Sequence, residues 1–378
     1  AGTDYPASNV WVSNNLFEGW VDPISDTGAH NGGGTRYNYC LLNFSPNTPN
    51  SDRFGEWLVF ENNTVTDSEV FASIAAWEHV IVRNNTFTTP DPYQNGKSFF
   101  CLDFDPTWSR RPLVDVQVVD NTFEYTGSLA AGTKGMIGLY DCGYGPHTGI
   151  VVARNIFRSS DTDVKFISVP EAEASFACLA SENNLVYSAD GAAPLFTRRT
   201  ATPTFYTLAQ WRLLTGNDQA TQVHTNPNLP VPGWAKAPAA DEASPVPVAY
   251  DRVEVTSGAG LREVRLWARL NDGPWIDTGM RASGASGMFS YPATGGAGRY
   301  HFATQAVDTA GNASLAPIGP GPAITYYTGG APTDTTAPNP GVLTAPASTS
   351  VSPIPVSYTG AADEPDGSGL KSVELWVK

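Results

Sequence analysis

Carboxylates, bases and aromatic rings gather around one recurring type of strand in the first half of the chain. Asp103, Asp105, Trp108, Arg110 and Arg111 go with one copy, Tyr140, Asp141, Tyr144 and His147 with the next, and Asp161, Asp163 and Lys165 with a third. Two chemistries fit these residue types. A carboxylate pair drawn from Asp103, Asp105 and Asp141 is what glycoside hydrolysis requires. A base such as Lys134, Tyr140 or His147, with an arginine or cation to hold an enolate, is what uronate elimination requires. Trp108 and Tyr144 suit stacking on sugar rings, and Arg110, Arg111 and Lys165 suit contact with hydroxyls or carboxylates. Each residue also has a plain structural reading: aspartate in a turn, lysine in solvent, tyrosine in packing. No G-x-S-x-G, H-E-x-x-H, Walker A or strand-bound G-x-G-x-x-G signature is present, and the five histidines are scattered.

A repeat would position these residues. Val10-Trp11-Val12-Ser13-Asn14-Asn15-Leu16-Phe17 returns at Leu58–Val65, Val80–Phe87, Val116–Phe123, Ile150–Phe157 and Leu179–Val186. The second Asn of each copy falls at Asn15, Asn63, Asn85, Asn121, Asn155 and Asn184. Residues three and five before it are apolar, as is the residue two after it, so one face of a short strand is buried. Ser181 breaks this rule in the last copy. The Asn shares the buried face, and a buried amide needs partners. Stacked at the strand spacing of about 4.8 Å, identical amides would bond one another as a ladder. Between Asn15 and Asn63 lie 48 positions, which reads as two coils, with Asn43 marking the one between. A second strand follows in most coils: Tyr39–Leu42, Val70–Ile74, Lys97–Asp105, Lys134–Cys142 and Lys165–Val169. Two strands per coil make a stacked solenoid with inserted loops.

The V-x-V-x-N-N-x-F pattern resembles the repeat of secreted right-handed parallel β-helix proteins, the pectate-lyase-like superfamily. That resemblance covers about residues 8 to 230 and implies an all-β fold. The superfamily holds lyases and hydrolases together with non-catalytic surface proteins, so the resemblance speaks for fold more than for activity. Tyr206–Leu214 carries apolar residues at helical spacing and Thr215-Gly216-Asn217-Asp218 ends it. It is expected to cap the solenoid, with Trp211 and Leu214 packed into the core.

Pro and Ala enrichment marks a linker over 229–243. Alternating stretches at Val264–Leu270 and Tyr300–Asp308 then predict a β-sandwich over 244–330. Ser244-Pro245-Val246-Pro247-Val248 recurs as Ser352-Pro353-Ile354-Pro355-Val356, and Gly260–Trp267 recurs as Gly369–Trp376. These copies, with the Asp308-Thr309-Ala310-Gly311-Asn312 hairpin, resemble the tandem Ig-like or fibronectin-like modules of bacterial extracellular proteins. The expected organisation is a β-helix with a capping helix over 1–228, the linker, an Ig-like module over 244–330, a linker over 331–342, and the incomplete start of a second module over 343–378. Asp363 and Asp366 lie in an acidic, Gly-rich turn that would suit Ca²⁺.

Composition narrows the classes. The net charge of -15 argues against nucleic acid as a partner, and no run of about 20 apolar residues spans a membrane. Cys40, Cys101, Cys142 and Cys178 form no C-x-x-C pair and read as buried thiols, or as a disulfide between coils. The chain carries no leader at Ala1, so it is expected to start after processing or to be a fragment. Two functions fit. One is an extracellular protein that binds or acts on a polysaccharide or cell-surface glycan, with Ig-like modules as spacers. The other is a non-catalytic cell-surface structural or adhesive protein that self-associates in a fibre or envelope layer.

Overall fold

The computed structural model describes residues 8–18, 40–44, 55–66, 70–74, 77–89, 102–104, 112–126, 135–139, 146–159, 161–169, 177–198, 202–329, 338–362, 372–375 and 377. They are all-β, with one helix. Three sheets built from parallel strands fill the first half. The first holds Ser8–Ser13, Gly55–Glu61, Trp77–Arg83, Val114–Val119, Thr148–Ala153 and Leu179–Glu182, in that order. The second begins with Leu16–Glu18, continues through Thr64–Thr66, Thr86–Thr89, Thr122–Tyr125, Ile156–Ser159 and Leu185–Ser188, and ends at Gln222–His224. The third runs Cys40–Phe44, Val70–Ile74, Leu102–Phe104, Gly135–Leu139, Lys165–Val169 and Phe196–Arg198, closed by the antiparallel Thr204–Tyr206. Each pass of the chain gives one strand to each sheet in turn.

Two expectations are corrected here. There are three strands per pass rather than two, because the V-x-V-x-N-N-x-F motif itself turns a corner. Asn14, Asn62, Asn84, Asp120, Arg154 and Asn183, each just before the ladder Asn, have φ between 55° and 59°. That left-handed conformation breaks the strand, and Asn and Asp tolerate it best. The 48-residue gap is one pass rather than two: Val10 pairs with Leu58 and Val12 with Phe60. Asn43 sits in the third sheet, opposite Ser73. Loop length between passes is free to vary, so dividing a gap by an average period miscounts.

The inward columns bury the predicted residues. Leu58, Phe60, Val80, Val82, Val116, Ile150 and Val152 are fully buried. Phe87, Phe123 and Phe157 stack at 4.9 and 5.1 Å between ring centroids. Each such side chain contributes roughly 1.5–3 kcal/mol of transfer free energy. The Asn column is continuous. Nδ2 of Asn15, Asn63, Asn85, Asn121 and Asn155 donates to Oδ1 of the next Asn at 2.9 to 3.2 Å. The same Oδ1 atoms accept the backbone N–H of the preceding Asn. Every amide from Asn63 to Asn184 also donates back to a carbonyl of the preceding pass, from Val12 to Val152.

The column closes on different chemistry. The Asn184 backbone N–H donates to Thr221 Oγ1 at 2.9 Å, and its amide reaches Ser181 Oγ and Asp218. Asp218 is fully buried and accepts from Ser181, Thr221 and the Trp211 indole N–H. Ser181 breaks the apolar rule because it donates to this carboxylate. Burial pushes the Asp218 pKa up, against the hydrogen bonds that hold it down. The helix Leu208–Thr215 supplies Trp211. It starts on a Thr207/Gln210 capping box and ends at Gly216 with φ 73°. Leu208 and Trp211 are buried, and Trp211 lies flat on Phe196 at 4.6 Å. Leu214, expected in the core, is 49% exposed and Leu213 is 91% exposed, because the helix lays only one face on the last layer.

Residues 229–243 are not a simple linker. Val231–Lys236 pairs antiparallel with Val246–Glu254, and Ala240–Asp241 pairs with Ala323–Tyr327. The Pro/Ala composition misleads because the strand takes Pro232 and Gly233 at its turn-free middle. Val231, Trp234, Ile156, Leu185 and Tyr187 form one apolar cluster, so this strand packs on the outside of the second sheet. Arg158 to Glu254 at 3.3 Å and Arg252 to Thr122 at 3.0 Å add polar contacts. A three-stranded and a five-stranded sheet share one core, which includes Val248, Tyr250, Leu266, Tyr300 and Phe302. Beyond it, Val342–Thr344 and Ser357–Thr359 form a two-stranded sheet whose Val342, Leu343 and Tyr358 are exposed.

Candidate functional site

Most residues singled out for chemistry lie outside the described residues: Asp105, Trp108, Arg110, Arg111, Lys134, Tyr140, Asp141 and Tyr144, and likewise Asp363 and Asp366. Asp103 stands in the third sheet, in register between Ser73 and Gly138. His147 is not an exposed base. It is 2% exposed, and its Nδ1 accepts the Leu113 backbone N–H at 2.9 Å. It directly precedes Thr148, which pairs with Val114, so it falls in the buried column of Leu113. Lys165 is not a surface cation for a ligand either. It is 4% exposed, donates to the Thr162 carbonyl at 3.0 Å, and lies over the Phe205 ring. Burial lowers its pKa, opposed by Asp163 and Asp161. Lys165 pairs with Gly135, whereas Asp103 is level with Gly138 and so with Ser168. The two are therefore roughly 10 Å apart along the sheet and two strands across. Cys178 is half-buried, and burial raises the pKa of its thiol.

A different set of side chains comes together on the outside of the first sheet. Six positions before the first five ladder Asn residues stand Asn9, Trp57, His79, Asp115 and Gly149, all with φ between 52° and 66°. Asn, Asp, His and Gly accept this left-handed conformation readily, whereas a bulky ring there is a genuine outlier. Trp57, at φ 61°, is the one that does not fit. Such strain persists where the surroundings hold it, and it clusters at functional positions.

The surroundings hold Trp57 through a relay. Its indole stacks on the His79 imidazole at 4.5 Å and 16°. His79 Nδ1 lies 2.9 Å from Asp115 Oδ2, and Asp115 Oδ1 accepts from Gln117 Nε2 at 3.2 Å. The bond from His79 holds the Asp115 carboxyl below its usual range, against a smaller opposing effect of burial. The ring is thus fixed while Trp57 stays 45% exposed. On the neighbouring strand Trp11 is 62% exposed, and its indole N–H donates to Glu61 Oε1 at 3.1 Å. Glu61 also accepts from Arg83, and Asp120 binds Arg154 through two hydrogen bonds. The register of Trp11 with Val59 sets the two tryptophans roughly 8 Å apart at Cα.

A fixed, exposed aromatic face flanked by carboxylates and amides is suited to the apolar face and hydroxyl rim of a pyranose ring. The sequence held a signal for it: one fixed offset from the first five ladder Asn residues is occupied by Asn, Asp, His and Gly, and by one Trp. Elsewhere, an open cleft of about 630 Å³ lies between the helix and Leu315–Ile318. Its only charged lining residue, Arg212, is engaged with the carbonyls of Asp218 and Thr221. Among the described residues no group of three or more His, Cys, Asp or Glu could hold a metal, and no helix is long and apolar enough to cross a membrane. No protein-family model, curated protein or solved structure matches the chain.

Proposed function

We propose that the chain is an extracellular carbohydrate-binding protein that recognises a polysaccharide or cell-surface glycan on the outer face of its first sheet. In this reading the three parallel sheets wind as a right-handed β-helix of the pectate-lyase-like kind. The shared inward columns and the amide ladder support that winding, since both need successive passes in register. The antiparallel sheets act as Ig-like spacers. One observation carries the binding role: Trp57 keeps a bulky exposed ring on left-handed backbone, clamped by His79 and Asp115. Gly149 stands at the equivalent position two passes beyond His79, so folding alone does not demand a tryptophan there. A panel of immobilised glycans tests this with the wild-type chain and Trp57→Ala in parallel. Binding to at least one glycan class, lost in the variant, is expected. Absence of binding across the panel, or equal binding by Trp57→Ala, overturns the proposal.

A surface structural or adhesive role is the second reading. It is favoured by the exposed Val342, Leu343, Val351, Ile354 and Tyr358 beyond the second core, an apolar set of the kind that marks association surfaces. Concentration-dependent assembly in sedimentation would support it, and a monomer at all concentrations would count against it.

A further inference from the structure

We infer that acid opens a hinge between the parallel sheets and the antiparallel unit of 231–327, and that His224 is the group whose protonation releases it. The inference is independent of the binding role on the first sheet. His224 ends the strand Gln222–His224, at the edge of the second sheet. Residues 225–230 join it directly to Val231–Lys236, the first strand of the antiparallel unit. The imidazole thus stands where the chain crosses from one body to the other. The seam between them is apolar. On its solenoid side Arg158 is level with Tyr187, and Tyr187 with His224, on successive strands. Ile156, Leu185 and Tyr187 pack there against Leu229, Val231 and Trp234. The His224 ring meets the Tyr187 ring edge-on at 5.0 Å, and the Tyr187 hydroxyl donates to the Leu229 carbonyl in the connection at 3.0 Å.

His224 is 1% exposed, and neither ring nitrogen has a hydrogen-bond partner in the protein. A neutral imidazole is tolerated there, whereas an imidazolium brings a charge and a second N–H that nothing in the seam receives. The charged groups around it are committed elsewhere. Glu254 pairs with Arg158 at 3.3 Å, Asp251 with Lys236 and Asp120 with Arg154, and Arg252 donates to Thr122. Glu124 lies beyond Arg158 in the same row, three strands from His224. Asp190 is exposed in the turn that touches Thr225 and accepts the Ala192 N–H. On the helix side, Arg212 is bonded to the carbonyls of Asp218 and Thr221. Tyr187, pushed up by burial, stays a neutral phenol. The connection 225–230 carries no titratable side chain, nor does the segment 315–321, whose Ala316 carbonyl accepts from Gln222. Once the seam parts, His224 reaches water and titrates near 6.5, whereas burial in the closed form holds it to about 4. The closed form is therefore fully favoured above pH 6.5 and loses ground as the pH falls toward 4. From pH 7 to 5 the opening constant rises about twentyfold.

Hydroxyl-radical footprinting of the whole chain between pH 7 and pH 5 tests this. Tyr187 and Trp234, both buried, report on the seam, while Phe123 and Phe302 report on the two cores. Labelling of Tyr187 and Trp234 is expected to rise about twentyfold across that range, with Phe123 and Phe302 still protected. His224→Phe fills similar space without titrating and should hold both seam residues at their pH 7 level. His224→Leu makes the same comparison should the phenylalanine variant not fold. Glu254→Gln removes the ion pair across the seam, so it should raise labelling at every pH and leave the rise with acid in place. A flat profile in the wild-type chain overturns the inference. So does an equal rise in the His224 variants, or a rise abolished in Glu254→Gln, since a carboxylate then drives the opening. Labelling of Phe123 and Phe302 in step with the seam overturns it too, because the chain is then unfolding rather than hinging.

Discussion

Asn121→Ala should cost far more stability than Asn15→Ala, although both remove the same side chain from the same column. Asn121 is fully buried. Its Oδ1 accepts from the backbone N–H of Asn85 at 3.0 Å and from the Asn85 amide at 2.9 Å. Its Nδ2 donates to the Val82 and Val119 carbonyls and to Asn155 Oδ1. Truncation orphans the Asn85 N–H, strips one acceptor from the Asn85 amide and removes a donor from Val82, all at buried residues. Each buried polar group left without its partner costs about 1–3 kcal/mol, and the small cavity adds to that. The sum is at least about 3 kcal/mol. Asn15 is exposed, at the start of the column, and its amide loses only Ser13 and Asn63 as acceptors. Water replaces those partners, so the cost there is about 1 kcal/mol or less. Urea unfolding of both variants measures the difference as a shift in midpoint at constant slope. Equal costs at the two positions would refute the reasoning that the amides act as a buried, mutually dependent chain.

Three further outcomes follow from single features. His224 is 1% exposed, with neither ring nitrogen hydrogen-bonded to protein, and burial lowers its pKa to about 4. The unfolded chain takes up this proton near pH 6.5 and the folded chain only near 4. Stability is therefore full above pH 6.5, falls by about 3 kcal/mol as the pH drops to 4, and levels off below. His224→Phe should flatten that segment of a stability-against-pH profile, and an unchanged slope would reject the assignment. Gly55→Ala places a Cβ 2.5 Å from the Trp77 ring and should lower stability by about 1–3 kcal/mol in the same urea assay, whereas a neutral result would show that Trp77 moves freely. Asp218→Ala removes the acceptor of Trp211, Ser181 and Thr221. It should cost about 3 kcal/mol and expose the end of the stack to faster hydrogen exchange at Asn184, and slow exchange there would contradict its closing role.

The repeat made much of the first half legible, because strand alternation and a buried amide leave a signature that survives loops of any length. Phe60, Val82, Val118 and Val152 are inward where the offsets from the ladder Asn place them. The corner inside the motif was less visible. It depends on a backbone angle at Asn62, Asn84 and Asp120, and the doubled Asn reads equally well as a strand end. Pass counting failed between Asn15 and Asn63 because insertion length carries no register. The site was the least legible part. His147 and Lys165 have the right functional groups for chemistry, but chemistry depends on whether a side chain reaches solvent, and both are buried. Trp57 was overlooked because an exposed tryptophan has no sequence signature of its own. Its offset from Asn63, shared with Asn9, His79, Asp115 and Gly149, is what sets it apart.

The most direct test of the carbohydrate-binding account is a crystal structure of the chain soaked with an oligosaccharide that it binds in solution. The account predicts a pyranose ring lying parallel to the Trp57 indole, on the face opposite His79, on the side of the strand Ser8–Ser13. A sugar held instead on the third sheet, with the Trp57 ring bare, would contradict it.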